Sequence, residues 1–171
     1  MMVDKRSLVA KLNLSDTTAS EEKKKEYRIE AGKAGEDLTQ SYLDKWGTIY
    51  FRIEQETKKL PVWVESIGSK RPDFIAFTST PSEIIVIDSK LHNTNKESFL
   101  LESDEIIKYE KLIIKLNEIG FIPYHMFIFP IGGMAPNKFF CLTLDDFSNG
   151  EETLIDEKKF RQVKKGCVFH V

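Results

Sequence analysis

The length, composition and charge of this chain indicate one domain without a dominant electrostatic field. It has 171 residues, 41% of them hydrophobic, and its 25 basic residues nearly balance its 27 acidic ones. A chain of this size can bury one substantial core. The balanced charge excludes the global positive field of a strongly basic nucleic-acid binder, so any such binding must come from local patches.

Cysteine usage and hydropathy favour a cytoplasmic protein that has no contact with a membrane. Cys141 and Cys167 lie in apolar segments without metal-ligand spacing, which predicts buried thiols in a reducing compartment. The first residues lack the apolar run of a secretory signal, and no stretch approaches the roughly 20 apolar residues of a membrane span. We expect an N-terminal arm over residues 1–18 and a single domain over residues 19–171.

The first predicted element is a long helix. Apolar residues three or four apart predict that it begins near Thr18, which has capping-box spacing to Glu21, and that it ends at Gly47. Gly32 and Gly35 within this helix would let a neighbouring sheet approach closely. The helix therefore has apolar faces that other elements are expected to bury.

Strands and a second helix follow. The run Ile84 to Ile87 does not alternate with polar residues, which is typical of a strand that is covered on both faces. The second helix spans about residues 104–119, with Ser103 as its N-cap and Gly120 as its end. A short helical piece is predicted near residues 156–164. The predicted strands cover residues 48–53, 62–65, 73–78, 83–90, 124–129, 138–144 and 167–171, with a turn at 79–82.

Two acids and a lysine are predicted to meet at one end of a hairpin. Residues two apart on a strand point to the same side, so Asp88 and Lys90 project together. Antiparallel pairing of residues 73–78 with residues 83–88 brings Asp73 beside Asp88. These acids would be costly to bury without a cation, and a divalent ion such as Mg²⁺ or Mn²⁺ meets that need. Such an ion, with Lys90 as a compact cation beside it, supplies what phosphodiester hydrolysis requires.

The residues Pro72-Asp73 and Asp88-Ser89-Lys90 resemble the signature of the PD-(D/E)XK nuclease superfamily, which includes restriction endonucleases and Holliday junction resolvases. The resemblance implies an α/β fold with a restriction endonuclease-like core, in which helices flank a central mixed β-sheet in the order αβββαβ. It implies that Asp73 and Asp88 bind the metal, that the carbonyl of Ser89 is a further ligand, and that Lys90 assists the nucleophile.

Further site residues follow from the same resemblance. The family often has an acid on the preceding helix, which implies that Glu36 is an additional catalytic or metal-binding residue. Many relatives place a Gln or Tyr on the helix after the motif, which makes Tyr109 a weaker candidate. His92 shares the face of Lys90 if the strand continues, but Asn93-Thr94-Asn95 predicts a turn there. A surface helix acid is the alternative for Glu36, and a strand-end ion pair is the alternative for Asp88 and Lys90.

Basic residues near the motif form the predicted nucleic-acid contacts. Cationic contacts to phosphates supply most of the non-specific affinity for DNA. Ordinary solvated surface charge is the alternative interpretation. The residues concerned are Lys70, Arg71, Lys96 and Lys108.

These features predict an Mg²⁺- or Mn²⁺-dependent nuclease that hydrolyses DNA, more specifically an endonuclease. A chain this short has little room for a target-recognition domain, which favours recognition of DNA structure or recruitment by a partner. A homodimer or a larger DNA-processing complex would fit this function. The alternative is a non-catalytic DNA-binding or assembly subunit that keeps the nuclease-like fold.

Overall fold

A six-stranded mixed sheet with helices against both faces organises the chain. The computed structural model describes residues 21–54, 61–91, 98–130, 138–164 and 167–170. Its helices are α1 (Glu21–Lys45), α2 (Val62–Ser66), α3 (Ser103–Glu118) and α4 (Leu144–Ser148). Its strands are β1 (Tyr50–Arg52), β2 (Phe74–Phe77), β3 (Glu83–Ser89), β4 (Phe99–Glu102), β5 (Ile122–Pro130), β6 (Lys138–Thr143), β7 (Glu151–Ile155), β8 (Lys158–Val163) and β9 (Cys167–His170).

The strand order of the main sheet is β1-β2-β3-β5-β6-β9. Its pairs are antiparallel except β3 with β5, which run parallel. Because parallel neighbours need a long crossover, the chain passes through α3 between them. A second sheet has the strand order β4-β8-β7, and Phe99 and Leu101 of its β4 are buried in the core. The predicted central mixed sheet flanked by helices is therefore confirmed, and α1, β1 to β3, α3 and β5 give the predicted core order.

The sheet separates two apolar layers. On one face, Ile84 and Val86 of β3 pack with α3 side chains such as Leu112. On the other face, Ile87 packs with Leu43 of α1. The strand β3 is thus covered on both faces, as its unbroken apolar run predicts.

The β2–β3 hairpin has the predicted register. Phe74 pairs with Ile87 and Phe77 pairs with Ile84. The backbone N–H of Asp73 donates to the carbonyl of Ile87 at 3.0 Å. Continuing this register by one residue brings Asp73 opposite Asp88.

Gly35 and Gly32 of α1 differ in their surroundings. A Cβ added at Gly35 would lie 3.2 Å from the backbone nitrogen of Leu91 and 3.3 Å from Oγ of Ser89, whereas at Gly32 nothing lies within 4 Å. The expectation of close approach is therefore confirmed at Gly35 and wrong at Gly32. Gly47, with φ +65°, follows the end of α1 as predicted.

The strand predicted at residues 62–65 is wrong, because these residues begin the short helix α2. The carbonyl of Pro61 accepts hydrogen bonds from the N–H groups of Val64 and Glu65, at 2.9 and 3.1 Å. Val64 is buried while Val62 and Trp63 are exposed. A five-residue helix is too short to show a helical period, and its β-branched residues favour a strand prediction.

The helix predicted near residues 156–164 is also wrong, because these residues form the turn and the second strand, β8, of the β7–β8 hairpin. Asp156 and Glu157 have φ angles of 48° and 66°. Such angles are typical of a tight two-residue hairpin turn that usually carries Asn-Gly. Since Asp-Glu stands there instead, the usual sequence signal of the turn is absent.

Other differences concern the ends of elements. Ser103 is the first residue of α3, not its N-cap, which is Glu102 without a side-chain capping bond. The strand β4 and the helix α4 have no counterpart in the prediction. Thr18 and the predicted arm over residues 1–18 lie outside the described residues. Among the described helices, none combines the length and apolarity needed to cross a bilayer.

Candidate active site

The β2–β3 hairpin brings the three central residues of the predicted site together. Oδ2 of Asp88 lies 2.7 Å from Nζ of Lys90. Oδ2 of Asp73 accepts a hydrogen bond from the backbone N–H of Ser89 at 2.7 Å. Asp73 is 9% exposed and Asp88 is 1% exposed. Two carboxylates and an ammonium group are therefore gathered at the C-terminal end of β3.

Opposing effects fix the charge states of Asp88 and Lys90. Burial by itself would raise the pKa of Asp88, but Lys90 and Lys70 outweigh it and hold that pKa below its ordinary value. Burial would lower the pKa of Lys90, but Asp88 and Glu105 raise it well above its ordinary value. The pair is therefore a carboxylate and an ammonium ion at neutral pH.

Asp73 differs from its neighbour in its charge. Burial, followed by the negative charge of Asp88, raises the pKa of Asp73 to about 7, although the N–H of Ser89 opposes this shift. The lysines beside Asp88 thus lower its pKa, whereas the effect of Lys90 on Asp73 is outweighed by burial and by the charge of Asp88. The site holds one stable negative charge and a second acid that ionises near neutral pH.

Ser89 connects the hairpin to α1. Its Oγ lies 2.8 Å from Oγ1 of the buried Thr39. The close approach at Gly35 allows this contact, because a larger residue there would meet Ser89 and Leu91. The helix that carries the predicted acid is thereby fixed against the end of β3.

Glu36 is near the site and is engaged by an arginine. Its Oε2 lies 2.8 Å from Nη2 of Arg52. Nη1 of the same arginine lies 2.9 Å from Oδ1 of Asp37. The charge of Glu36 contributes to the raised pKa of Asp73. In this arrangement, Glu36 contacts a cation of the protein itself, and its role as a metal ligand stays a prediction.

Tyr109, the weaker candidate from the helix after the motif, contacts the predicted site. Its hydroxyl donates a hydrogen bond to Oδ1 of Asp88, and its side chain is fully buried. Burial, and then the charge of Asp88, raise its pKa well above the ordinary value. The hydroxyl therefore stays protonated and acts as a donor. His125 packs against the ring with centroids 4.0 Å apart, and burial lowers the pKa of His125 to about 3, which keeps it neutral.

Sequence reasoning missed Glu105. Its Oε1 contacts Nζ of Lys70 and lies 2.6 Å from Nζ of Lys90. A signal was present, because Glu105 precedes Tyr109 by four residues, and residues four apart share one face of a helix. Once Tyr109 is a candidate, the same face one turn earlier is also expected to reach the site.

The predicted basic contacts are distributed unevenly. Lys70 contacts Glu105 and has its Nζ 3.6 Å from Oδ1 of Asp88, so it belongs to the acidic cluster. Arg71 is partly exposed beside it. Lys108 is exposed and lines a cavity of about 500 Å³ together with Lys70 and Glu105. His92 and Lys96 lie outside the described residues.

The donor set fits a hard divalent cation. Two carboxylates and a backbone carbonyl are oxygen ligands, and Mg²⁺ commonly takes one or two carboxylates and completes its shell with water and phosphate. Oδ2 of Asp88 is buried and has no directed hydrogen bond among the described residues, although Lys90 is in ionic contact with it. Within the same residues, no group of three acid, His or Cys side chains could hold a metal. A cation would therefore depend on the two aspartates.

Comparisons with known proteins give a structural likeness. No family model matches the chain, and no curated protein matches it. Among solved structures, the chain is similar to that of Hjc, a Holliday junction resolvase from the hyperthermophilic archaeon Archaeoglobus fulgidus. The two are 16% identical, with a TM-score of 0.47, over 78% of this chain and 88% of the other.

Proposed function

We propose that this protein is a metal-dependent nuclease that hydrolyses phosphodiester bonds of DNA as an endonuclease. One observation carries the proposal: two buried aspartates from paired strands lie at one strand end, with the ammonium group of Lys90 2.7 Å from Asp88. Paired carboxylates can hold a divalent cation, and that cation together with an adjacent ammonium group can stabilise the negative charge that develops on the phosphate oxygens.

Asp73, Asp88 and the carbonyl of Ser89 would hold Mg²⁺ or Mn²⁺. When bound, the ion supplies charge neutralisation at the phosphate and a lower pKa for a water molecule. The raised pKa of Asp73, to about 7, supports this assignment, since burial and the negative charge of Asp88 disfavour the carboxylate and a bound cation would relieve that repulsion.

Lys90 acts as a cation and not as a base. Asp88 and Glu105 raise its pKa well above the ordinary value, so it keeps its proton at neutral pH. An ammonium group at this position can orient the attacking water and stabilise the negative charge that grows on the phosphate oxygens. Tyr109 holds the carboxylate of Asp88 by its hydrogen bond.

The same contacts favour one second candidate. The acids of the site are already engaged by Lys90, Lys70 and Arg52 of the protein itself. A cluster neutralised in this way could stabilise the fold without catalysis. The second candidate is therefore a non-catalytic DNA-binding or assembly subunit of a DNA-processing complex.

The proposed substrate is DNA of particular structure, such as a junction or nick, or DNA to which a partner recruits the protein. A homodimer would bring one site to each of two strands.

The test is a cleavage assay on supercoiled plasmid and on branched DNA, with Mg²⁺, Mn²⁺ or EDTA. We expect cleavage with either ion and none with EDTA. Removing a group that acts mainly in the transition state lowers rates by about 100-fold or more, so Asp88→Asn and Lys90→Met should lose cleavage to that extent while DNA binding is retained. Lys115→Met is a matched control, because Lys115 pairs with Glu118 at the other end of α3. Full activity of Asp88→Asn, or cleavage in EDTA, would exclude the proposal, and DNA binding without cleavage by the unmodified protein would favour the second candidate.

A further inference from the structure

Glu105 joins two lysine side chains that both reach Asp88. It is the third residue of α3, and its side chain is 21% exposed. Its Oε1 contacts Nζ of Lys70 and lies 2.6 Å from Nζ of Lys90. The same two ammonium groups lie 3.6 and 2.7 Å from Oδ1 and Oδ2 of Asp88. Two carboxylates thus share two cations.

This sharing limits the access of a further cation to Asp88. A divalent ion at Asp88 would be repelled by ammonium groups only a few ångströms away. Those groups need an anionic partner, because an unpaired charge in a partly buried site is costly. Glu105 already contacts both groups, so it can keep them when the carboxylate of Asp88 turns to the ion.

We propose that Glu105 is a positioning residue, which holds the ammonium groups of Lys90 and Lys70 while Asp88 binds a divalent cation. This inference rests on the divalent-cation site of the proposed nuclease. In it, Lys70 competes with the ion for Asp88, and Glu105 relieves the competition. Lys90 is thereby fixed beside the ion and not displaced into solvent.

The acids next to Glu105, at the start of α3 and just before it, have different surroundings. Glu102 pairs with Lys158 at 2.8 Å, on the second sheet. Asp104 is exposed and makes no ion pair within the described part of the chain. Asp104→Asn therefore removes the same charge from the same helix end and leaves both lysines in place, which makes it a matched control for Glu105→Gln.

The first measurement is the affinity for Mn²⁺ alone, by titration calorimetry or by the resonance signal of free Mn²⁺. We expect Glu105→Gln to weaken binding about tenfold, which corresponds to about 1.4 kcal/mol. Glu105→Asp should recover most of this loss, and Asp104→Asn should leave the affinity unchanged. Lys70→Met should tighten binding about threefold, because it removes a competing positive charge. Circular dichroism checks that each variant folds.

The second measurement separates positioning from binding of the nucleic acid. At saturating Mn²⁺, Glu105→Gln should lower kcat for DNA cleavage and leave KM for DNA unchanged, since Lys90 acts on the reacting phosphate and not on the rest of the substrate. A general loss of structure would change both.

Three results would overturn the inference: equal weakening by Glu105→Gln and Asp104→Asn, weaker Mn²⁺ binding in Lys70→Met, or no Mn²⁺ binding by the unmodified protein. A further outcome is that the Mn²⁺ affinities follow the expected order but the protein does not cleave DNA. It would support the role of Glu105 and contradict the nuclease function.

Discussion

At the scale of single residues, the main electrostatic feature is that the two aspartates have different surroundings. Asp88 has two lysines within ion-pair distance and a tyrosine hydroxyl on Oδ1. Asp73 has the N–H of Ser89 on Oδ2 and a pKa raised to about 7 by burial and by Asp88. The two acids therefore differ in their ionisation: the pKa of Asp88 is held below its ordinary value, whereas Asp73 ionises near neutral pH.

A pH dependence of stability follows from Asp73. Between its ordinary pKa of 3.8 and about 7, the folded protein holds a proton on Asp73 that the unfolded chain has released. Stability without metal therefore falls as pH rises through this window. Asp73→Asn removes this loss, since Asn keeps an acceptor for Ser89 but no charge. At pH 8 in EDTA, we expect this variant to be more stable to urea than the unmodified protein by up to about 4 kcal/mol, since the pKa of Asp73 is raised from 3.8 to about 7 and each unit corresponds to about 1.36 kcal/mol.

The comparison at pH 4.5 tests the cause. There Asp73 carries its proton in the folded protein, and the pH is less than one unit above the ordinary pKa of 3.8, so the advantage of Asp73→Asn should shrink to about 1 kcal/mol. The lowered pKa of Asp88 acts only below about pH 4 and does not enter this window. An equal difference between the two proteins at both pH values would contradict the raised pKa of Asp73.

At the scale of elements, those with strong local sequence signals could be predicted. The β2–β3 hairpin could be predicted with its register, because the turn at 79–82 and the apolar runs on both sides leave one pairing that buries both strands. The junction of Asp73 with Asp88 follows from that register. Glu105 could be placed only through its spacing of four residues from Tyr109. Arg52 could not be placed, since its contacts depend on how α1 and an edge strand pack together.

Short elements were the part that the sequence did not reveal. The helix α2 has a single buried residue, Val64, so no period could distinguish it from a strand. The turn at Asp156 and Glu157 lacks the glycine that normally marks left-handed residues. In both places, tertiary packing decides the conformation against the local preference of the residues.

The packing of α1 on the hairpin makes a paired prediction. Gly35→Ala places a methyl group 3.2 Å from the backbone nitrogen of Leu91, where backbone cannot yield easily. We expect a loss of about 1 to 3 kcal/mol in the free energy of unfolding, typical of overpacking. Gly32→Ala meets nothing within 4 Å and should gain about 0.5 to 1 kcal/mol, because alanine favours a helix interior over glycine.

Urea denaturation of both variants measures these effects. Because Gly35 lies against Ser89 and Leu91, Gly35→Ala should also reduce Mn²⁺ binding, whereas Gly32→Ala should not. Similar stabilisation by both alanines would show that α1 does not approach the end of β3 as closely as described.

At the scale of the whole molecule, the balanced charge makes DNA affinity a local property. Lys70 is occupied by Glu105 and Asp88, which leaves Lys108 as an exposed cation beside the site. We expect Lys108→Gln to weaken DNA binding and to lower the slope of log affinity against log salt by about 1, the effect of one lost phosphate contact.

Fluorescence anisotropy in EDTA measures this binding without cleavage, over a range of salt concentrations. Lys115→Gln, at the far end of the same helix and paired with Glu118, should leave the slope unchanged. If both variants changed it equally, DNA would not be directed to the end of α3 that lies beside the aspartates.

The turn at 79–82 lies at the opposite end of the hairpin from the aspartates. Residues 79 to 81 are exposed, and β3 spans the seven residues Glu83–Ser89 between the turn and the site, a distance of roughly 20 Å at 3.3 Å per residue. A fluorophore or a surface tether attached through a cysteine at Ser79 would therefore report on the protein without touching its chemistry. Individual molecules could then be immobilised with the two aspartates directed away from the support. Their binding to single DNA substrates could be followed in real time.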